Sequence, residues 1–78
     1  YELAADGEIA IAAYRIDRDV IAFTHTVVPD ALQGRGIGTR LIRSALADAA
    51  ARHLRVDPQC SFVADYLRRH PDEATLAD

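Results

Sequence analysis

Residues 20–38 read VIAFTHTVVPDALQGRGIG, and the apolar spacing changes within them. Residues 20–28 are rich in β-branched and aromatic side chains, which favour a pleated surface. Ile21, Phe23 and Val27 fall on one face of that strand, Val20, Ala22 and Val28 on the other. A strand apolar on both faces is expected at the centre of a sheet, covered on both sides. Pro29 ends it, since proline cannot donate to a ladder. After the glycines the period becomes about 3.6 residues. Ile37, Leu41, Ala45 and Ala49, with Ile42, Leu46 and His53 beside them, form one apolar stripe. The spacing predicts a helix over residues 36–53, with Arg35, Arg43, Asp48 and Arg52 largely off the stripe.

Working outward, residues 1–4 and 8–16 read as two further strands joined by the turn dipeptide Asp6-Gly7. In the second, Ile9, Ile11 and Ala13 share one face, and Ala10, Ala12, Tyr14 and Ile16 the other. Asp17-Arg18-Asp19 is a second turn. Downstream, residues 54–56 form a short strand. Asp57-Pro58 then has the form of a helix start, with Asp57 as N-cap and Pro58 at the first helical position. Phe62, Val63, Tyr66 and Leu67 give this helix an apolar face, and Pro71 stops it near His70. The acidic residues 72–78 are expected to be loose, with at most one helical turn. The order is β-β-β-α-β-α, an antiparallel meander leading into a helix, a short strand and a helix. The fold class is α+β.

Seventy-eight residues make one domain, residues 1–78, with no repeat or linker. Half are hydrophobic and 27 % are charged, which is globular composition. A net charge of −3 argues against a nucleic-acid footprint and slightly favours a cationic partner. All nine basic residues are arginine, a compositional bias rather than chemistry. No apolar run reaches the roughly 20 residues that span a bilayer, and no signal peptide is recognisable. The chain contains no Met, so N-terminal residues are expected to be missing from it. The single cysteine forms no internal disulfide, and Cys60 with the three histidines shows no metal spacing. The expected setting is the cytoplasm.

Gly34, Gly36 and Gly38 stand where a strand becomes a helix, and only one other glycine occurs. The first turn of a helix has N–H groups without internal partners and carries the positive end of the dipole. Glycines let a ligand approach those groups, which suits a phosphate or pyrophosphate. Arg35 and Arg40 are placed to add charge. The chain has no Lys for a P-loop, and Thr39 stands where a dinucleotide fingerprint needs its third glycine. A tight turn without any ligand explains the same glycines.

Gln33-Gly34-Arg35-Gly36-Ile37-Gly38 resembles the acetyl-CoA pyrophosphate loop of the GNAT N-acetyltransferase superfamily, Q/R-x-x-G-x-G/A. The likeness is closest to its compact branch, little more than the CoA-binding core. There a His-Thr pair and Val-x-Pro precede the loop, as His25-Thr26-Val27-Val28-Pro29 do here. A second signature, P-x-C-x-F/Y-V-x-x-Y, matches Pro58-Gln59-Cys60-Ser61-Phe62-Val63-Ala64-Asp65-Tyr66, and residues 69–73 resemble the family's tail. The resemblance implies a minimal GNAT-like fold that takes acetyl-CoA as cosubstrate and needs no metal. The backbone of Thr26, Val27 and Val28 would pair with the pantetheine arm. Gln33, Gly34, Arg35, Gly36, Ile37, Gly38 and Thr39 would hold the pyrophosphate.

Three side chains are candidates for catalysis. Cys60, counted from Asp57 as N-cap, falls in the first helical turn, where the dipole lowers a thiol's pKa. Its thiolate would accept the acetyl group and pass it to an amine. A nearby Asp57 opposes this shift, and a buried structural cysteine is the alternative. His25, on the face of Ile21, Phe23 and Val27, has the chemistry of a general base. Its alternative is a hydrogen-bonded core histidine. Thr26 points to the opposite face. Tyr66 aligns with the tyrosine that many GNAT enzymes use to protonate the departing CoA thiolate, but it also fits the apolar face of its helix. Arg68, Arg69 and His70 suit a helix C-terminus. The expected function is transfer of an acetyl group from acetyl-CoA to an amine, with a non-catalytic acyl-CoA binder as the alternative. The expected assembly is a monomer or weak homodimer, paired through residues 8–16 if that strand is an edge.

Overall fold

The computed structural model describes residues 1–77. Strands β1 (Glu2–Ala5), β2 (Glu8–Asp17) and β3 (Val20–Val27) form an antiparallel meander, and β4 (Arg55–Pro58) joins β3 in parallel. The sheet order is β1-β2-β3-β4. Helix α1 (Ile37–Ala51) follows β3, and α2 (Ser61–Arg69) follows β4. The element order and the α+β class are those expected from the sequence. Among the described residues, no helix is long and apolar enough to cross a membrane.

β2 lies between β1 and β3, but β1 pairs only with Glu8, Ile9, Ala10 and Ile11, so β2 is an inner strand over that part and has no strand beside it on the β1 side over residues 13–17. The tail is less loose than expected. After a 3-10 turn at Pro71–Glu73, Thr75 accepts from the Val56 N–H at 2.8 Å, and Ala77 donates to the Val56 carbonyl at 2.8 Å. Residue 78 of that expectation lies outside the described residues.

One face of the sheet is covered and the other is open. The core joins Ala10 and Ala12 of β2, Ile21 and Phe23 of β3 and Val56 of β4 to Leu41, Ile42, Ala45, Leu46 and Ala49 of α1 and Val63, Tyr66 and Leu67 of α2. On the opposite face Ile9, Ile11 and Val27 are exposed. The expectation that β3 is covered on both sides is therefore corrected: both helices pack on one side. Alanines, not isoleucines, form the inner face of β2, and their small side chains let a helix approach closely.

The strand β3 is irregular at its middle. Tyr14 pairs with Phe23 and Ala13 with His25, so Thr24 is an extra residue, a bulge. An extra residue reverses the alternation beyond it. Phe23 and Thr26 consequently point to the covered side, paired with Tyr14 and Ala12. His25 and Val27 point to the open side, paired with Ala13 and Ile11. The expectation that His25 shares a face with Ile21 and Phe23 is corrected by this bulge.

Candidate functional site

The pairing of β3 with β4 runs only from Val20↔Arg55 to Phe23↔Pro58. The last link on this side is the Cys60 N–H donating to the Phe23 carbonyl at 2.9 Å. Pro58 ends the strand and the chain turns into α2. The β4-side edge of residues 24–27 is left without a neighbouring strand because β4 ends at Pro58, and this gap beside β3 is the splay. Asp57 and Pro58 belong to β4, so the expected helix start there is corrected. The N-cap of α2 is Cys60, in extended backbone, and the helix begins at Ser61.

The glycine loop stands at the other end of the splay. A 3-10 turn at Asp30–Leu32, anchored by fully buried Leu32, leads into it. The Gln33 side chain braces the turn, donating to the Val28 carbonyl at 3.2 Å and the Asp30 carboxylate at 3.4 Å. Gly34 and Gly36 have φ of 78° and 73°, the left-handed region that glycine enters without strain. Gly36 is the N-cap of α1, so no side chain reaches the first N–H groups, and no acidic residue lies in the first turn. This helix start is electrostatically receptive to an anion.

Between the loop and the splay runs a groove of about 410 Å³, lined by Thr26, Val28, Gln33, the three glycines, Thr39 and Phe62 among others. Next to Thr26 lies the only cysteine: Thr26 Oγ1 and Cys60 Sγ are hydrogen-bonded at 3.3 Å. The thiol is half-buried and free. Burial alone would push its pKa up. The Thr26 hydroxyl and the backbone N–H groups of Val63, Phe62 and Thr26 outweigh that and hold the thiol below its ordinary value. The groove thus runs from the uncapped helix start to Thr26, and Thr26 carries the contact to the Cys60 thiol, which itself lies outside the groove lining.

The profile of the GCN5-related N-acetyl-transferase family matches residues 1–76. The chain belongs to this family. Protein NATD1 of Gallus gallus and of Mus musculus are each 30 % identical over 56 residues, 72 % of this chain and 51 % of theirs. Protein NATD1 of Homo sapiens is 30 % identical over the same length, 50 % of its own. The chain thus spans about half the length of these relatives.

For a GCN5-related acetyltransferase domain, the expected site residues divide into two groups. Thr26, Val28, Gln33, Gly34, Gly36, Ile37, Gly38 and Thr39 line the groove together, with Cys60 bonded to Thr26. Val27 contributes backbone at the free edge, while its side chain faces the open side. Arg35 is turned away from the groove and forms an ion pair with Asp6 of the β1–β2 turn. His25 lies exposed on the open face. Tyr66 is fully buried: its hydroxyl donates to Glu73 Oε1 at 2.6 Å and accepts from Arg43 Nε at 3.3 Å. Burial, then Glu73, push its phenol above the ordinary value, against a smaller opposing effect of Arg43. Among the described residues there is no cluster of metal-ligating side chains.

Phe62 was not singled out in the sequence as a site residue, although it belongs to the second signature. Its position two residues after Cys60 was the available signal.

Proposed function

We propose that this domain transfers an acetyl group from acetyl-CoA to an amine, through the thiol of Cys60. The observation that carries the reading is the Thr26–Cys60 hydrogen bond, made by a residue that lines one groove with the uncapped start of α1. The backbone N–H groups around Gly34–Gly36 and the first turn of α1 suit the pyrophosphate. The unpaired edge of residues 24–27 offers backbone groups to the pantetheine amides. The Cys60 thiolate attacks the thioester carbonyl, the carbon–sulfur bond to CoA breaks, and the CoA thiolate leaves. A neutral amine then attacks the acetyl-Cys60 carbonyl, the Cys60 thiolate departs, and the amine proton passes to a base. His25 lies on the opposite face of β3 from Thr26 and Cys60, so in this scheme the proton passes to a solvent base and the expected role of His25 as general base is not kept. Tyr66, engaged by Glu73, serves the core in this scheme. A cytoplasmic setting keeps such a thiol reduced.

Incubation with acetyl-CoA followed by intact mass tests this directly. A gain of one acetyl group on the wild type and none on Cys60→Ala supports it. Saturable acetyl-CoA binding with neither acetylation nor CoA release in an amine screen favours the second reading, a binder without turnover. The position of Cys60 outside the groove lining gives that reading its weight.

A further inference from the structure

The three loop glycines do not share one reason for being glycine. Gly34 and Gly36 are in the left-handed region, and a Cβ on either would meet open space. Gly38 is an ordinary helical residue of α1, and a Cβ there would lie 2.8 Å from the tip of the Phe62 ring and 3.2 Å from Val28 Cγ2. The glycine at 38 is required by its neighbours, chiefly by a ring from the other helix. That ring is 36 % exposed, and the space it is exposed to is the groove. Phe62 therefore forms part of the groove wall beside the glycine loop, its ring tip resting on the bare backbone of Gly38.

We propose that Phe62 gauges the groove: seated on Gly38, its ring sets the width open to the acyl-pantetheine arm, and with it the affinity for the acyl thioester. The inference rests on the acetyl-CoA reading above and assigns a role to a residue outside that scheme. Val28 is also close to position 38, and the ring borders the groove, so a methyl group added there is expected to displace the ring into the groove. Over-packing of this kind is relieved when the displaced side chain is shortened.

Four proteins test it: wild type, Phe62→Ala, Gly38→Ala and the double variant, each titrated with acetyl-CoA by calorimetry, with thermal unfolding recorded in parallel. Phe62→Ala is expected to bind several-fold more weakly, having lost one wall. Gly38→Ala is expected to lose about tenfold while remaining folded. Adding Gly38→Ala to Phe62→Ala is expected to cost nothing further, because no ring is left to displace. An equal loss from Gly38→Ala in both backgrounds, or no loss in the wild-type background, overturns the inference while leaving the acetyl-CoA reading in place. A wild type that does not bind acetyl-CoA overturns both.

Discussion

The two helices begin in opposite ways on the same groove. Helix α1 starts at Gly36, which offers no side chain, and its first N–H groups are left for a ligand. Helix α2 starts at Cys60, whose side chain makes no capping hydrogen bond but pairs its sulfur with the Thr26 hydroxyl, while the nearby N–H groups of Val63 and Phe62 help lower the thiol's pKa. Neither first turn holds a carboxylate. Both positive dipole ends thus remain uncompensated by the protein's own acids. In the proposed scheme, one would bind a charge that arrives and the other would stabilise a charge on the protein's own thiol.

The sharpest break of this comparison is to remove the second charge. Cys60→Ala is expected to lower acetyl transfer by at least about a thousandfold, as losing a nucleophile does. Acetyl-CoA binding should remain, because the cradle lies on the other helix. Steady-state kinetics with calorimetry separates the two effects. Equal turnover in the variant would mean direct attack by the amine, leaving the thiol no covalent role.

The reciprocal break is Gly36→Ala, which keeps the thiol and disturbs the cradle. An alanine at φ 73° costs about 1–2 kcal/mol of backbone strain, although nothing lies within 4 Å of its Cβ. The expected result is a Tm lowered by several degrees and weaker acetyl-CoA binding. Alkylation of Cys60 by iodoacetamide should be unchanged. If the alkylation rate falls as well, the two starts are coupled rather than separate.

How much of this was legible in the sequence differs between the two starts. The α1 start was readable because three glycines and a change of period are local signals. The α2 start was misplaced by three residues, because Asp57-Pro58 has the form of a helix opening. Its true role, closing a parallel ladder against Ala22 and Phe23, depends on a strand more than 30 residues away. The bulge at Thr24 left no mark either, since apolar residues continue on both sides of it. That one residue put His25 on the open face and Thr26 against Cys60. Hydrophobicity also gave no guide to the inner face of β2, where close helix packing favours Ala10 and Ala12 over Ile9 and Ile11.

Two smaller tests sharpen where the chemistry sits on α2. Tyr66→Phe removes a buried hydroxyl bonded to Glu73 and Arg43, and is expected to cost about 1–2 kcal/mol of stability by denaturant unfolding. Turnover should be kept, since the hydroxyl lies outside the groove lining. Lost turnover with full stability would move the proton donor to this end of the helix. Thr26→Val removes the hydroxyl that helps hold the Cys60 thiol below its ordinary pKa. The folded thiol should therefore titrate higher, and the rising limb of alkylation rate against pH should move to more alkaline pH. An unmoved limb would assign the depression to the backbone N–H groups of Val63, Phe62 and residue 26 alone.

The smallest effect concerns Arg35, the one charged side chain inside the glycine loop. It pairs with Asp6 rather than facing the groove, and both side chains are exposed, at 49 % and 67 %. Exposed pairs of this kind contribute only about 0–1 kcal/mol, so Asp6→Asn should leave unfolding nearly unchanged. Its effect on binding has a definite sign. Asp6 competes with any incoming phosphate for the same guanidinium, and removing its charge also removes a repulsion of the anion. Asp6→Asn should therefore tighten acetyl-CoA binding by a few-fold at low salt, and by less as salt screens the site. The gain should vanish when Arg35→Ala is added. A gain that survives that second change would come from the general field of Asp6. Weaker binding in Asp6→Asn would instead make the ion pair a brace, one that holds the loop ready for its ligand.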